Sequence, residues 1–323
     1  MSDAGDVRWL AGAAALSERS RPASAPNPAV GALLVKDGRV VGRGWTQAGG
    51  RPHAEAMALA EAGPAARGAT LYCTLEPCAH RSPRGPACAD LLADAGIARA
   101  VIGCEDPDPR TQGQGADRLR QAGIAVEFLD SEAVRHSLAG YLTRAHVSRP
   151  HITLKLALSL DGRIALPDGT SQWITGDEAR AHGHRERARM DAILVGGGTL
   201  RVDTPRLDVR LPGLERRSPL RFVLTRGDAP DGWTALPSPD DLSPLGKAQY
   251  LMVEGGASVA AAFLSRDLID RLTIYRAPIV VGEGLPGIAD IGLAGLAQAH
   301  GRWRGTDRRN LGPDTLECFE RTR

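Results

Sequence analysis

The chain has 323 residues, which at about 100–200 residues per domain points to two domains. Its 40 Lys and Arg against 38 Asp and Glu leave a formal net charge of +2, too little to wrap a nucleic-acid backbone or lie on an anionic membrane. Hydrophobic residues at 42% and charged residues at 24% exclude disorder along the whole length, and aromatics at 4% supply few stacking surfaces for single-stranded nucleic acid.

The start, Met1–Leu10, carries Asp3 and Asp6 and no h-region, so a cytoplasmic protein is the expectation. The longest apolar runs, such as Ala29–Val35, fall far short of the roughly 20 residues of a bilayer span. Residues 7–20 read as an Ala-rich helix, followed by a Pro-rich loop, Arg21–Pro28. The stretch 29–44 then reads as a hairpin turning at Asp37-Gly38. Helices are predicted over 54–62, 89–95, 114–122 and 131–146, and strands over 69–75, 100–103 and 125–128. After Ser148-Arg149-Pro150 the rhythm restarts: strands at 151–158, 192–195, 220–224, 250–253 and 271–276, helices at 177–189 and 257–265. The predicted domains are 1–147 and 148–323, both of α/β class. Residues 227–248, rich in Pro, Asp and Ser, show no clear element.

His53-Ala54-Glu55 opens the helix 54–62, Pro77-Cys78 follows a strand, and Cys88 opens the next helix. One His and two Cys make three ligands for a tetrahedral zinc that keeps its fourth position for water. Two thiolates and a neutral imidazole cancel the metal's double charge, so such an ion acidifies water less than an all-histidine site. Glu55 is then needed as general base. Helix N-termini are expected at both Cys78 and Cys88, where they would favour the thiolates. A lone His or buried Cys is usually structural; order, spacing and strand–helix context together carry the zinc reading. Of the five cysteines, Cys73 and Cys104 read as core thiols, Cys318 falls in the final strand, and all three stand outside the site.

The pattern H-x-E…P-C…C resembles the cytidine deaminase-like superfamily, where the Glu shuttles protons without binding metal. The usual P-C-x-x-C spacing is replaced by Cys78 and Cys88 ten positions apart. The intervening loop carries His80, Arg81 and Arg84, which read either as ligands for an anionic substrate or as solvated charges. Asn27, between Pro26 and Pro28, either reads a pyrimidine edge or caps its turn.

PNPAVGA, HAE, TLEPCAH and GCEDPDPRTQGQG are similar to the deaminase half of the bifunctional riboflavin-biosynthesis deaminase–reductase family. The resemblance implies a three-layer α/β/α deaminase domain with zinc on His53, Cys78 and Cys88 and a proton shuttle at Glu55. It also implies pyrimidine contacts from Asn27 and His80, with Arg84 as a further substrate contact.

In the second half, AILVGGGTL places Arg201 where a dinucleotide fingerprint needs its third glycine, which disfavours a Rossmann domain. Glu254-Gly255-Gly256 ends a strand and opens a helix, a turn that suits a phosphate or merely packs tightly. Lys155, one of only three lysines, either touches a ribose or snorkels. With KLALSLDG from Lys155 and SQWIT from Ser171, these pieces resemble the reductase half of the same family. That implies a dihydrofolate-reductase-like α/β domain using NADPH. Its nucleotide contacts would be Ala157, Trp173, Thr199, Asp203, Thr225 and the Gly256 segment. Its substrate contacts would be Ser171, Arg187, Leu207, Arg210 and Glu254. The family carries a further strand–helix unit where this chain has only 227–248.

The implied reactions are hydrolytic deamination of a diaminopyrimidinone ribosylamine 5′-phosphate and reduction of its ribosyl group to ribityl. Zn2+ and NADPH are the implied cofactors, and the partner is this small molecule, with no nucleic acid and no membrane. The oligomeric state, a homo-oligomer included, is left open. The rival readings are a tRNA adenosine deaminase with an appended domain, a structural-zinc scaffold, and a deaminase whose reductase half has decayed.

Overall fold

The computed structural model describes residues 3–80 and 82–323; Arg81, named above with the loop charges, lies outside them. The chain separates into two compact units, residues 1–149 and 150–323.

The first unit runs α1 (Asp3–Ser17), β1 (Gly31–Lys36), β2 (Arg39–Trp45), α2 (Ala54–Ala62), β3 (Thr70–Cys73), α3 (Cys88–Ala95), β4 (Arg99–Ile102), α4 (Gln114–Gln121), β5 (Ala125–Phe128) and α5 (Glu132–Val147). The β1–β2 turn holds Asp37 at φ 50° and Gly38 at φ 72°, both in the left-handed region that a two-residue hairpin turn requires. The sheet order is β2-β1-β3-β4-β5, with β1 antiparallel to its neighbours and β3, β4 and β5 mutually parallel. Right-handed crossovers advancing in one direction put α2, α3 and α4 on one face. On the other, α1 packs against α5. The three-layer α/β/α expectation is met. Leu34, Leu71, Tyr72, Ile102 and Leu138 fill the core.

Two glycines let α2 approach the sheet. A Cβ on Gly44 would lie 1.9 Å from the Ala54 carbonyl oxygen, and one on Gly42 would lie 2.1 Å from that of Ala58. The first turn of α2 is therefore seated directly on β2, one residue beyond His53.

The second unit runs β6 (His151–Leu158), β7 (Arg163–Ala165), α6 (Asp177–Arg187), β8 (Ala192–Gly196), α7 (Gly197–Asp203), β9 (Leu220–Leu224), β10 (Thr234–Leu236), β11 (Tyr250–Val253), α8 (Ala257–Leu264), β12 (Arg271–Arg276), β13 (Leu285–Pro286), β14 (Trp303–Leu311) and β15 (Asp314–Arg321). Eight strands form one sheet in the order β10-β9-β8-β11-β6-β12-β15-β14, parallel from β10 to β12 and antiparallel beyond. Ile152, Leu154, Leu194, Leu251 and Phe263 anchor its core.

Several features depart from the sequence reading, the unanticipated β7, α7 and β13 among them. Residues 227–248 do contain a strand, β10, paired parallel to β9, and a short 3-10 turn, Ser243–Leu245. Three residues, Thr234–Leu236, are too few to leave a periodicity in the sequence. The hairpin strand β14 was also unanticipated, because its exposed face carries Arg304, Thr306, Arg308 and Asn310 and little apolar alternation.

Gly44→Ala is expected to cost about 1–3 kcal/mol through overpacking, and to push the α2 start off the sheet. Chemical denaturation reads the first effect, and reduced metal content of the purified protein reads the second.

Candidate active sites of the two units

In the first unit β3 ends at Cys73, and the following segment carries Cys78 past the carboxyl ends of the parallel strands, where open α/β sheets bind ligands. His53 is the N-cap of α2 and Cys88 the first residue of α3. The His53 Nδ1 atom lies 3.5 Å from Cys78 Sγ and 3.4 Å from Cys88 Sγ. All three donor atoms fall within 4.8 Å of one another. Cys78 does not open a helix of its own, contrary to the sequence expectation. Instead the Cys88 N–H, at the start of α3, donates to Cys78 Sγ at 3.3 Å, so one helix terminus serves both sulfurs.

The Cys88 side chain, and after it the His53 ring, stabilise the Cys78 thiolate against burial and bring it down to about 4. The Cys88 thiol moves up in response, held by its hydrogen bond to Cys78 and then by burial. Burial pushes the Glu55 carboxyl up to about 7 against the opposing pull of His53. Glu55 is 3% exposed and lies in the first turn of α2, beside His53, Cys78 and Cys88. Two soft sulfurs and an imidazole nitrogen converging on one point match the donor set of a catalytic zinc.

Around this pocket, Asn27 donates through Nδ2 to the Ser24 carbonyl at 3.2 Å and to the Gly49 carbonyl at 3.3 Å. Its turn-capping role is thus met by the fold. Arg84 Nη2 donates to the same Gly49 carbonyl at 2.9 Å, tying the Cys78–Cys88 loop to the 48–50 turn. His80 Nδ1 stands 3.4 Å from Thr111 Oγ1. One residue missed at the sequence level is Glu76. Its buried carboxylate accepts the N–H groups of Asp106 (3.3 Å), Gly113 (3.0 Å) and Ala116 (3.0 Å). It thereby caps α4 from a distance, two residues before Cys78. The available signal was α4 itself, which begins at Gly113-Gln114 without a capping side chain.

In the second unit a cavity of about 660 Å³ opens between β6, α6, the start of α7 and the end of β11. That volume lies in the range of small-molecule sites. It brings together Ser171, Arg187, Leu207, Arg210 and Glu254 with Ala157, Trp173, Thr199, Asp203 and Gly256. Thr225 is not among its lining residues. It follows β9 directly, and its hydroxyl accepts the N–H of Gly227 at 3.1 Å.

The electrostatic centre of the cavity is Glu254. Arg187 grips it with two bonds, Nε to Oε1 at 2.6 Å and Nη2 to Oε2 at 2.8 Å. Lys155 Nζ approaches Oε2 to 3.7 Å. Burial alone would raise the Glu254 carboxyl, but Arg187 and then Lys155 outweigh it and hold it at about 2. His184 donates from Nδ1 to the Asp208 carbonyl at 3.1 Å and presents Nε2 to Arg210 Nε at 3.4 Å. Burial, Arg187 and Arg210 all keep that ring neutral.

Residues 5–104 match the family described as the cytidine and deoxycytidylate deaminase zinc-binding region. Residues 150–233 and 238–316 match the RibD C-terminal domain. The chain is 35% identical to the riboflavin biosynthesis protein RibD of Aquifex aeolicus, with 98% of each chain covered. It superposes on the RibD structure of Acinetobacter baumannii with a TM-score of 0.87 at 32% identity, covering 100% of both chains. A diaminohydroxyphosphoribosylaminopyrimidine deaminase/5-amino-6-(5-phosphoribosylamino)uracil reductase from Thermotoga maritima gives a TM-score of 0.86 at 29% identity, over 99% of each. Among the described residues no helix is long and apolar enough to cross a membrane.

Removing the Glu254 carboxylate leaves Arg187 and Lys155 in the cavity wall without their counter-charge. Glu254→Ala is expected to cost about 3–5 kcal/mol of stability, read by chemical denaturation. In the native chain this carboxyl sits at about 2 against an ordinary 4.5, so the unfolded state takes the proton first. Its contribution is complete above about pH 4.5 and is lost as the pH falls toward 2. An acid titration followed by near-UV circular dichroism should show that loss in the native chain and not in Glu254→Ala.

Proposed function

The chain belongs to the RibD family of bifunctional riboflavin-biosynthesis deaminase–reductases, and we propose how its own residues divide the two reactions. The first unit hydrolyses the 2-amino group from 2,5-diamino-6-ribosylamino-4(3H)-pyrimidinone 5′-phosphate. The second reduces the resulting ribosyl group to ribityl with NADPH as the nicotinamide cofactor. The observation that carries this reading is the convergence of His53, Cys78 and Cys88 within 4.8 Å beside a buried Glu55.

His53, Cys78 and Cys88 hold the zinc, which when bound supplies a Lewis acid that makes water a nucleophile near neutral pH. Glu55 accepts a proton from the attacking water. It gives that proton to the ring nitrogen of the attacked carbon–nitrogen double bond, then carries the new hydroxyl's proton to the departing amino group, so that ammonia leaves with a carbonyl in its place. Burial disfavours the Glu55 anion, which eases the uptake of a proton that this double duty requires. Asn27 and His80 orient the pyrimidine. Arg84, at the exposed rim, meets the phosphate with a forked donor.

In the second unit Ser171, Arg187, Leu207, Arg210 and Glu254 hold the deaminated substrate. Ala157, Trp173, Thr199, Asp203 and the Gly256 turn hold the nicotinamide end of the nucleotide, and Thr225 serves it beyond the cavity. The cofactor supplies a hydride when bound. Lys155, facing the cavity beside Glu254, supplies the proton. As the sugar's ring carbon–oxygen bond opens, the oxygen takes that proton, and the former ring carbon, then doubly bonded to nitrogen, accepts the hydride. One hydride and one proton account for the ribityl product.

Glu55→Gln is expected to retain one zinc per chain by metal analysis and to lose ammonia release by about 10²–10⁴-fold. Unchanged turnover would refute the proton-shuttle role. Fed the deaminated intermediate, the native chain should oxidise NADPH stoichiometrically, seen as falling nicotinamide absorbance, and Lys155→Met should not.

A further inference from the structure

Behind the reductase cavity lies a hydrogen-bonded chain that the two reactions above do not use. Tyr275, on β12, is 1% exposed to solvent yet lines the cavity. Lys155 Nζ stands 5.7 Å from the centre of its ring. Its hydroxyl is 2.8 Å from His182 Nδ1, and Arg309 Nη2, on β14, is 3.0 Å from His182 Nε2. Three elements, α6, β12 and β14, thus contribute one residue each to a continuous line, and Tyr275 is its member that lines the cavity.

The direction of every bond in this line is determined by chemistry. A guanidinium only donates, so Arg309 gives a hydrogen bond to His182 Nε2, which is therefore unprotonated. The proton of the neutral ring must sit on Nδ1, and Nδ1–H donates to the Tyr275 oxygen. The Tyr275 hydrogen is left pointing elsewhere. Among the described residues no protein acceptor is paired with it. Burial, with Arg185, Arg309 and Arg189 nearby, keeps His182 neutral against Glu186, at about 4, so this polarity holds across the physiological range. Burial likewise keeps the Tyr275 phenol protonated, reinforced by Glu186 and Glu254.

We propose that Tyr275 donates its hydroxyl hydrogen into the cavity to an oxygen of the bound pyrimidine–sugar substrate, with His182 and Arg309 as the positioning residues that aim it. This rests on the reading of the cavity as the reductase site. The substrate is the recipient, and the nicotinamide is not, because the cavity groups beside Tyr275 are Lys155 and Glu254, which face the substrate. Lys155 and Tyr275 then present two donors to one oxygen-rich ligand, whereas Glu254 can only accept from it.

The test is steady-state NADPH oxidation by the full-length zinc-loaded chain with the deaminated intermediate. Tyr275→Phe keeps the ring against Lys155 and removes only the hydroxyl. It should lower kcat/KM for the intermediate about 3- to 10-fold, the worth of one neutral hydrogen bond. KM for NADPH and ammonia release by the first unit should stay unchanged. His182→Leu should reproduce that loss. His182→Gln, which can accept from Arg309 and donate to Tyr275, should recover most of it. Nitrogen-15 NMR of the ligand-free chain should show His182 protonated at Nδ1 and bare at Nε2. An unchanged kcat/KM in Tyr275→Phe, an equal rise in KM for NADPH, or a proton on Nε2 would each overturn the proposal. If the native chain oxidises no NADPH with the intermediate, the reductase reading itself fails, a result separate from a silent Tyr275→Phe.

Discussion

Placing two sulfurs, an imidazole and a carboxyl side by side in a nearly dry pocket is expensive, and the architecture of the first unit follows from how that cost is met. One thiol can ionise readily because the Cys88 side chain, the His53 ring and the N–H at the start of α3 all face it. Cys88 and Glu55 are driven the other way, toward their neutral forms. Such a set is strained without a cation and balanced with one, since a divalent ion satisfies both thiolates at once. In the proposed reaction, the burial that disfavours the Glu55 anion also helps that carboxyl to hold and release a proton.

The same economy of charge organises the second unit, with the sign reversed. There a single buried carboxylate, Glu254, is surrounded by Arg187 and Lys155. The pair with Arg187 is bidentate, which fixes the guanidinium plane. Lys155 is held more loosely, at 3.7 Å, and stays available to a ligand. His184 extends the arrangement to Arg210 as a neutral acceptor, placing a cation at the cavity wall without adding a charge of its own. Positive groups thus line a site whose proposed ligand carries a phosphate.

How much of this was legible in the chain depends on whether a residue acts through near or distant neighbours. The hairpin turn at Asp37-Gly38, the helix opened by His53, and the strands 151–158 and 250–253 announce themselves locally, through turn chemistry and periodicity. The zinc donors were legible because their types are rare and their order is distinctive. Glu76 was not, because its three partners lie 30 to 40 positions downstream and no local pattern marks a remote cap. His182 and Tyr275 were missed for the same reason, being 93 positions apart and joined only by the packing of α6 on the sheet.

Residue types and spacing alone determined that the chain holds two α/β domains, that His53, Cys78 and Cys88 form one metal-binding set, and that Glu55 stands beside them. Those conclusions need only short-range preferences and the limited chemistry of soft ligands. Tertiary structure alone decided that one helix terminus serves both cysteines, that β10 fills the shortened 227–248 region, and that Thr225 lies off the cavity wall. It also decided the polarity of the Arg309–His182–Tyr275 line. Each of these turns on which groups meet across the sheet, and the free energy of such meetings depends on distance and desolvation, which a linear order of residues does not encode.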